Sequence, residues 1–202
     1  LRENDFVFTP SVEEIYPEPD TRQFDFGNLD KVMEGLHRPG HFNGVAQVVS
    51  RLFDIIRPSC AFFGQKDFQQ LTIIRELARQ HYPKLEIIAC PILREPDGLA
   101  MSSRNRRLLA QHRDRAGEIY RTLIASGAMI SDYEITEIKE FVADRINMIP
   151  DFRLEYFEIV EEKTLSPVRA VIEMSPDKKY FACIALRAGE IRLIDNIEVE
   201  LR

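Results

Sequence analysis

The segment Gly64-Gln65-Lys66-Asp67-Phe68-Gln69-Gln70 joins an apolar run, Cys60 to Phe63, to a stretch that places Leu71, Ile73, Ile74, Leu77 and Ala78 at helical spacing. A buried strand that turns through Gly64 into a helix capped by Asp67 aims backbone N–H groups at one point. The positive end of the helix dipole lies there too, and Lys66 adds a full charge. Such a junction suits a phosphate or another anion. A solvated lysine in an ordinary strand-to-helix turn is the other reading. A second polar, basic segment, Met101-Ser102-Ser103-Arg104-Asn105-Arg106-Arg107, follows an Asp97-Gly98 turn. Serine hydroxyls and backbone N–H groups bind phosphate oxygens, and one arginine grips two of them at once. Read blandly, a serine caps the next helix and the arginines lie in water. Two such segments in one chain point to a nucleoside triphosphate held between them.

Other polar residues could take part. His37, Arg38 and His41 share a loop with Pro39, Gly40 and Gly44, where a rigid backbone can hold side chains over a pocket. Gln69 and Gln70 fall in the first turn of the helix after Asp67, within reach of a substrate hydroxyl or carboxylate. No Ser-His-Asp or Cys-His set can be assigned, and no His-Glu-x-x-His or paired Cys-x-x-Cys motif occurs.

The elements that must position these groups follow from periodicity and breakers. Phe6 to Phe8 and Gln23 to Phe26 read as short strands. Ser11 caps a helical turn with Glu13 and Glu14 near its positive end, and Pro17 and Pro19 stop it. Val45, Val48, Val49, Leu52, Phe53 and Ile56 mark a helix ended by Arg57-Pro58. Strand 60–63, a helix to about Gln80 and strand 85–92 then repeat with short links, the pattern of a parallel sheet covered on both faces. Ligands bind at the carboxyl ends of such strands, where Gly64, Leu93 and Arg94 lie. Beyond Asp97-Gly98 come helices over about 108–126 and 134–149, a strand over 154–160, and two strands, 179–186 and 191–199, joined by a hairpin-like turn. The fold class expected is α/β: part of a parallel sheet in residues 1–92, followed by a small α+β domain in residues 93–202.

The chain has 202 residues and a formal charge of −6, which gives no electrostatic case for nucleic acid. No apolar run of about 18 residues argues for a transmembrane helix, and no secretory signal is present. Cys60, Cys90 and Cys183 lie far apart in apolar runs, as free thiols of a reducing cytoplasm would. The chain opens on Leu1 with a strand-like run close behind, so a domain lacking its beginning is expected.

Five blocks together resemble one family. They are Phe8-Thr9-Pro10-Ser11-Val12-Glu13-Glu14-Ile15-Tyr16-Pro17; Arg38-Pro39-Gly40-His41-Phe42-x-Gly44-Val45; Phe63-Gly64-x-Lys66-Asp67-x-Gln69-Gln70; Arg94-Glu95-x-Asp97-Gly98-Leu99-Ala100-Met101-Ser102-Ser103-Arg104-Asn105; and Arg192-Leu193-Ile194-Asp195-Asn196. In this order they resemble the pantothenate synthetase, or pantoate–β-alanine ligase, family of the nucleotidyltransferase superfamily. The resemblance implies a Rossmann-like nucleotide-binding domain followed by a C-terminal lid. It implies ATP-dependent joining of pantoate and β-alanine through a pantoyl adenylate, with AMP and pyrophosphate released. Magnesium, a cytoplasmic location and a homodimer come with it.

Carried over by position, Gly64, Gln65, Lys66 and Asp67 match the ATP loop, and Gln70 the pantoate-binding glutamine. Met101, Ser102, Ser103 and Arg104 match the flexible phosphate loop, and Leu93 a residue beside the adenine. Lys66 and Arg104 take the catalytic electrostatic role; Arg38 and His41 are further candidates, and no magnesium ligands are assigned. Gln65 stands where the family most often has glutamate. The family's His-x-Gly-His motif belongs to an N-terminal segment and does not occur in these residues, so little activity is expected of them alone. A nucleotidyltransferase acting on another substrate, or a non-catalytic folded unit, is the alternative expectation.

Overall fold

A computed structural model describes residues 5–201. The first helical turn, α1 (Val12–Ile15), begins at Ser11, whose hydroxyl accepts from Glu14 N while the Glu14 carboxylate accepts from Ser11 N. This reciprocal capping satisfies two donors that a helix start otherwise leaves unpaired. Residues 6–8, expected as a strand, form none: Phe6 is 95% exposed, and no strand among the described residues pairs with this segment.

Residues 23–26 are not a strand either, and the reason is specific. The stretch is extended, but α3 (His41–Ile56), which follows the short α2 (Glu34–His37), satisfies it through side chains. Phe24 N donates to Asn43 Oδ1 at 2.9 Å, and Gln47 Nε2 donates to the carbonyls of Asp20 and Arg22 at 3.0 and 2.8 Å. Asn43 and Gln47, four residues apart on one helix face, take the place of a neighbouring strand. The alternation still orders the apolar side: Phe26 is buried, and Phe24 packs on the same cluster. Helix α3 starts at His41, four residues earlier than its apolar spacing suggested. Gly40 at φ +77° makes the entry turn, and Arg57 in the left-handed region ends the helix before Pro58.

Strand β1 (Cys60–Gly64), helix α4 (Phe68–His81) and strand β2 (Glu86–Cys90) form the expected parallel pairing, with Cys60 opposite Glu86 and Gly64 opposite Cys90, but not the expected cover on both faces, since Phe62 is 64% exposed. Helix α4 buries Leu71, Ile73, Ile74 and Leu77 almost completely against α3 and the strands. Asp67 occupies the cap position of α4 but forms no side-chain cap bond, contrary to the sequence expectation; its carbonyl accepts from Leu71 N instead.

After β2 the chain runs through a 3₁₀ turn, Ser103–Arg107, to α5 (Ala110–Arg113) and α6 (Glu118–Met129). One helix was expected over 108–126. It is broken where Gly117 lies against the Asp97 backbone; a Cβ there would fall 2.8 Å from the Asp97 carbonyl oxygen. Helix α7 (Ile135–Asn147) leads into an antiparallel sheet ordered β3 (Phe152–Glu161), β4 (Tyr180–Ala188), β5 (Ile191–Val199). Helices α6 and α7 cover one face of this sheet, with Leu123, Ile138, Val142, Ile159 and Leu186 fully buried between the layers. The result is a parallel α/β unit joined to a small antiparallel α+β unit. A third cluster, in which Met33 and Phe68 meet Val160, Leu165 and Phe181, packs the two against each other. The Phe68 and Phe181 rings lie 4.3 Å apart, centre to centre. No helix among the described residues is long and apolar enough to cross a membrane.

Candidate functional site

The turn after the carboxyl end of β1 faces the antiparallel sheet across a polar cavity of about 200 Å³. Lys66, Asp67 and Gln70 line it from the turn after β1 and the start of α4. Ser102 and Arg104 line it from the start of the 3₁₀ turn, Arg38 from the end of α2 and His41 from the start of α3. Residues from three separate sequence blocks therefore share one space. Gly64, Gln65, Leu93, Met101 and Ser103 do not border it. Leu93 and Met101 are exposed, 72% and 47%, and are tied to each other by the bond from Met101 N to the Leu93 carbonyl. A more apolar recess of about 690 Å³ lies at the opposite, amino ends of the strands, between Phe53, Tyr82 and Leu85, and holds none of the predicted residues.

Each predicted group has a definite setting. The Lys66 side chain is half-buried and lies near enough to Asp195 to favour that carboxylate's charge. The Ser102 hydroxyl accepts from Arg104 N at 3.2 Å, so Ser102 caps the turn and also borders the cavity; the two readings of this segment hold together. Arg104 is exposed and donates through Nη1 to the Arg192 carbonyl at 3.2 Å. Arg106 and Arg107 lie in solvent.

The two glutamines part company. Gln69 is buried, donates to the carbonyls of Leu29 and Val32 at 2.6 and 2.9 Å, and accepts from Glu34 N at 2.9 Å. It shapes the turn that delivers Glu34. Gln70 borders the cavity with its side chain uncommitted to any such turn.

Arg38 Nη1 stands 2.9 Å from His41 Nε2. A guanidinium only donates, so Nε2 accepts and the ring proton sits on Nδ1. Desolvation and the Arg38 charge hold the His41 imidazole below its ordinary range, against the opposite pull of Glu34 and Asp67. The ring is neutral at neutral pH.

Sequence reasoning missed the charged floor of the cavity. Arg192, from β5, clamps the Glu34 carboxylate at 2.7 and 2.8 Å and reaches Glu155 through Nε at 2.6 Å. Tyr156 donates its hydroxyl to Glu34 at 2.8 Å. Burial opposes the charge on Glu34, but the Arg192 bonds prevail and its carboxyl lies below the ordinary glutamate range. Burial, then the Glu34 charge, push the Tyr156 hydroxyl far above its usual range. Neighbouring residues of a regular strand face opposite ways. A bulge between Leu154 and Tyr156 lets Glu155 and Tyr156 join one network. The motif Arg192 to Asn196 was visible in sequence, but its partners were not.

A second clamp fastens the segment that follows β2 to β5. Arg94, just beyond β2, donates to both Asp195 oxygens at 2.6 and 3.0 Å and to the Asn196 carbonyl at 3.1 Å, and it lies 3.9 Å over the Tyr120 ring. Burial raises the Asp195 carboxyl despite that pairing. Among the described residues, no three His, Cys, Asp or Glu side chains converge as a metal site.

Fold and site define an α/β protein in which a parallel strand–turn–helix unit and an antiparallel sheet share one cation-lined cavity. Comparison with known proteins names the family. The model of the pantoate-beta-alanine ligase family matches residues 1–198, and the chain belongs to that family. The pantothenate synthetase of Bacteroides fragilis strain YCH46 is 52% identical over 193 residues, 96% of this chain and 67% of the relative. That of Phocaeicola vulgatus is 54% identical over 194 residues, 96% of this chain and 68% of the relative. A crystal structure of the Thermus thermophilus pantothenate synthetase superposes with a TM-score of 0.87 at 39% identity, covering 97% of this chain and 70% of that one. The Francisella tularensis pantoate-beta-alanine ligase, complexed with beta-gamma ATP and beta-alanine, gives a TM-score of 0.69 at 28% identity over 93% of this chain and 62% of its own.

Proposed function

We propose that the protein serves in the ATP-dependent condensation of pantoate and β-alanine to pantothenate, through a pantoyl adenylate. The observation that carries this reading is the family match across residues 1–198. The shared cavity of Lys66, Gln70, Ser102 and Arg104 supports it. In the first step a pantoate carboxylate oxygen bonds to the α-phosphorus, and the bond from that phosphorus to pyrophosphate breaks. In the second the β-alanine nitrogen bonds to the acyl carbon, the carbon–oxygen bond to AMP breaks, and the amine loses a proton. A carboxylate is a weak nucleophile, so the first step rests on alignment and on neutralising the triphosphate.

Lys66 and Arg104 are proposed to supply that neutralisation. Arg104 gives up its neutral bond to the Arg192 carbonyl to do so. Ser102 holds phosphate oxygens, Gln70 orients pantoate and Asp67 borders the nucleotide within the cavity, while Ser103, Gly64 and Gln65, outside its lining, would meet only parts of the nucleotide that extend beyond it. Leu93 and Met101 form an exposed apolar surface for the adenine. Magnesium binds through one or two carboxylates and substrate phosphates, so it needs no protein cage; Asp67 is the carboxylate at the cavity wall available to it. Residues 93–202 act as the lid over a nucleotide domain that includes residues 1–92, and the protein assembles as a homodimer in the cytoplasm.

The test is AMP release by the full-length protein that contains these residues. It should require both pantoate and β-alanine, with sedimentation reporting a dimer. AMP release indifferent to pantoate would overturn the reading, and adenylate formation without consumption of β-alanine would make the protein a nucleotidyltransferase only. These 202 residues alone carry no His-x-Gly-His turn.

A further inference from the structure

We propose that Asn196 is a positioning residue for adenylate formation: its side-chain amide, carried on backbone held in place by Asp195 and Arg94, fixes the turn that presents Lys66 to the cavity. The inference rests on the reading of Lys66 as the cation that neutralises the triphosphate.

The geometry is one-directional. Asn196 Nδ2 donates to two successive carbonyls, those of Gln65 at 3.0 Å and Lys66 at 3.1 Å. Both neighbours only accept, so the amide nitrogen and oxygen cannot exchange places. A peptide unit is planar. Fixing the carbonyls of Gln65 and Lys66 therefore also fixes the N–H groups of Lys66 and Asp67, and with them the exit direction of the Lys66 side chain. The turn itself is short and lightly tied, by Gln65 N to the Cys90 carbonyl at 2.8 Å and Asp67 N to the Gly64 carbonyl at 3.3 Å. Asp67 adds no side-chain cap. The bonds from Asn196 come from the other structural unit and span 130 and 131 residues.

Asn196 is itself immobilised. It lies in β5 opposite Cys183, its N–H donates to Asp195 Oδ1 at 2.8 Å, and its carbonyl accepts from Arg94. It is 2% exposed, and its Oδ1 has no partner. A buried amide oxygen without a partner carries a desolvation cost. Here that cost accompanies a side chain whose two N–H groups are both spent on the turn.

Pyrophosphate–ATP exchange in the full-length protein, with pantoate present, reads the first step alone. Asn196→Ala should lower it about 10- to 100-fold when Lys66 is intact, and less than about 2-fold in a Lys66→Ala background. A merely structural loss would lower both by the same factor. Asn196→Asp keeps the size but turns an oxygen toward both carbonyls, so it should lose at least as much activity and serves if the alanine variant does not fold. Equal factors in the two backgrounds, or normal exchange by either folded variant, would overturn the inference. Absence of pantoate-dependent exchange in the unsubstituted protein is a different outcome, because it would overturn the functional reading beneath it.

Discussion

Glu34 and Arg192 stand 158 residues apart and meet in a two-point ion pair, at 2.7 and 2.8 Å, on the floor of the cavity. Their side chains are 11% and 16% exposed. Removing one member of a buried pair strands the other, at a cost of about 3–5 kcal/mol. Arg192 keeps Glu155, so Glu34→Ala should fall at the lower end, about 3 kcal/mol. For a chain of this size that is a fall of about 6–12 °C in Tm, read by thermal unfolding. An unchanged Tm would mean that the pair contributes nothing to holding the two units together.

The same pair sets a pH dependence. The Glu34 carboxyl is depressed in the folded protein, so the folded state binds fewer protons than the unfolded state below the ordinary value of 4.5. Its stabilising contribution is fully present above that pH and is lost as pH falls through the folded value. His41, also depressed, acts in the same sense from 6.5 downward. Between pH 5 and 3, the Tm of the unsubstituted protein should fall more steeply than that of Glu34→Gln. Parallel curves would contradict the assignment, because the other depressed carboxylates are common to both proteins.

Gln69 and Gln70 show what sequence could and could not yield. Both sit in the first turn of α4 and look interchangeable, yet only Gln69 is spent on the backbone of residues 29–34. Gln69→Ala leaves two carbonyls and one N–H unpaired and should cost about 2–3 kcal/mol. Gln70→Ala should shift stability by less than about 0.5 kcal/mol and raise the KM for pantoate. Chemical denaturation and steady-state kinetics on the two variants separate these roles. Large destabilisation by the Gln70 change would reverse them.

The parallel strand–turn–helix unit was legible because local signals agreed: an apolar run, a glycine, then helical spacing through Ala78. The turn after β1 and the polar 3₁₀ turn at 103–107 were visible for the same reason. What escaped was carried by long-range contacts. The apparent strand at 23–26 has the alternation of one, but its hydrogen bonds go to Asn43 and Gln47 on a helix. Phe6 to Phe8 has the composition of a strand and no neighbour to pair with. Glu155 and Tyr156 alternate on paper, and a bulge brings them together. Nothing local marks Glu34, the first residue of the short α2, as the partner of Arg192.

Gly98 and Gly40 both hold φ in the left-handed region, at +93° and +77°, but their surroundings differ. A Cβ on Gly98 would stand 2.4 Å from Tyr120 Cδ1, while one on Gly40 would meet nothing within 4 Å. Gly40→Ala should cost only the backbone strain, about 1–2 kcal/mol. Gly98→Ala adds overpacking, for about 2–4 kcal/mol in all, and displaces the ring beneath Arg94. Equal effects on thermal unfolding would show that Tyr120 moves aside freely.

The central claim is that Lys66 neutralises a triphosphate in the cavity while Gln70 holds the acid that attacks it. Pantoate-dependent pyrophosphate–ATP exchange, without β-alanine, isolates that event in the full-length protein. Lys66→Ala should lower the exchange rate by about 10²–10³, with stability changed only through the loss of its attraction to Asp195, which Arg94 still pairs. Exchange at a near-normal rate in Lys66→Ala would contradict the account.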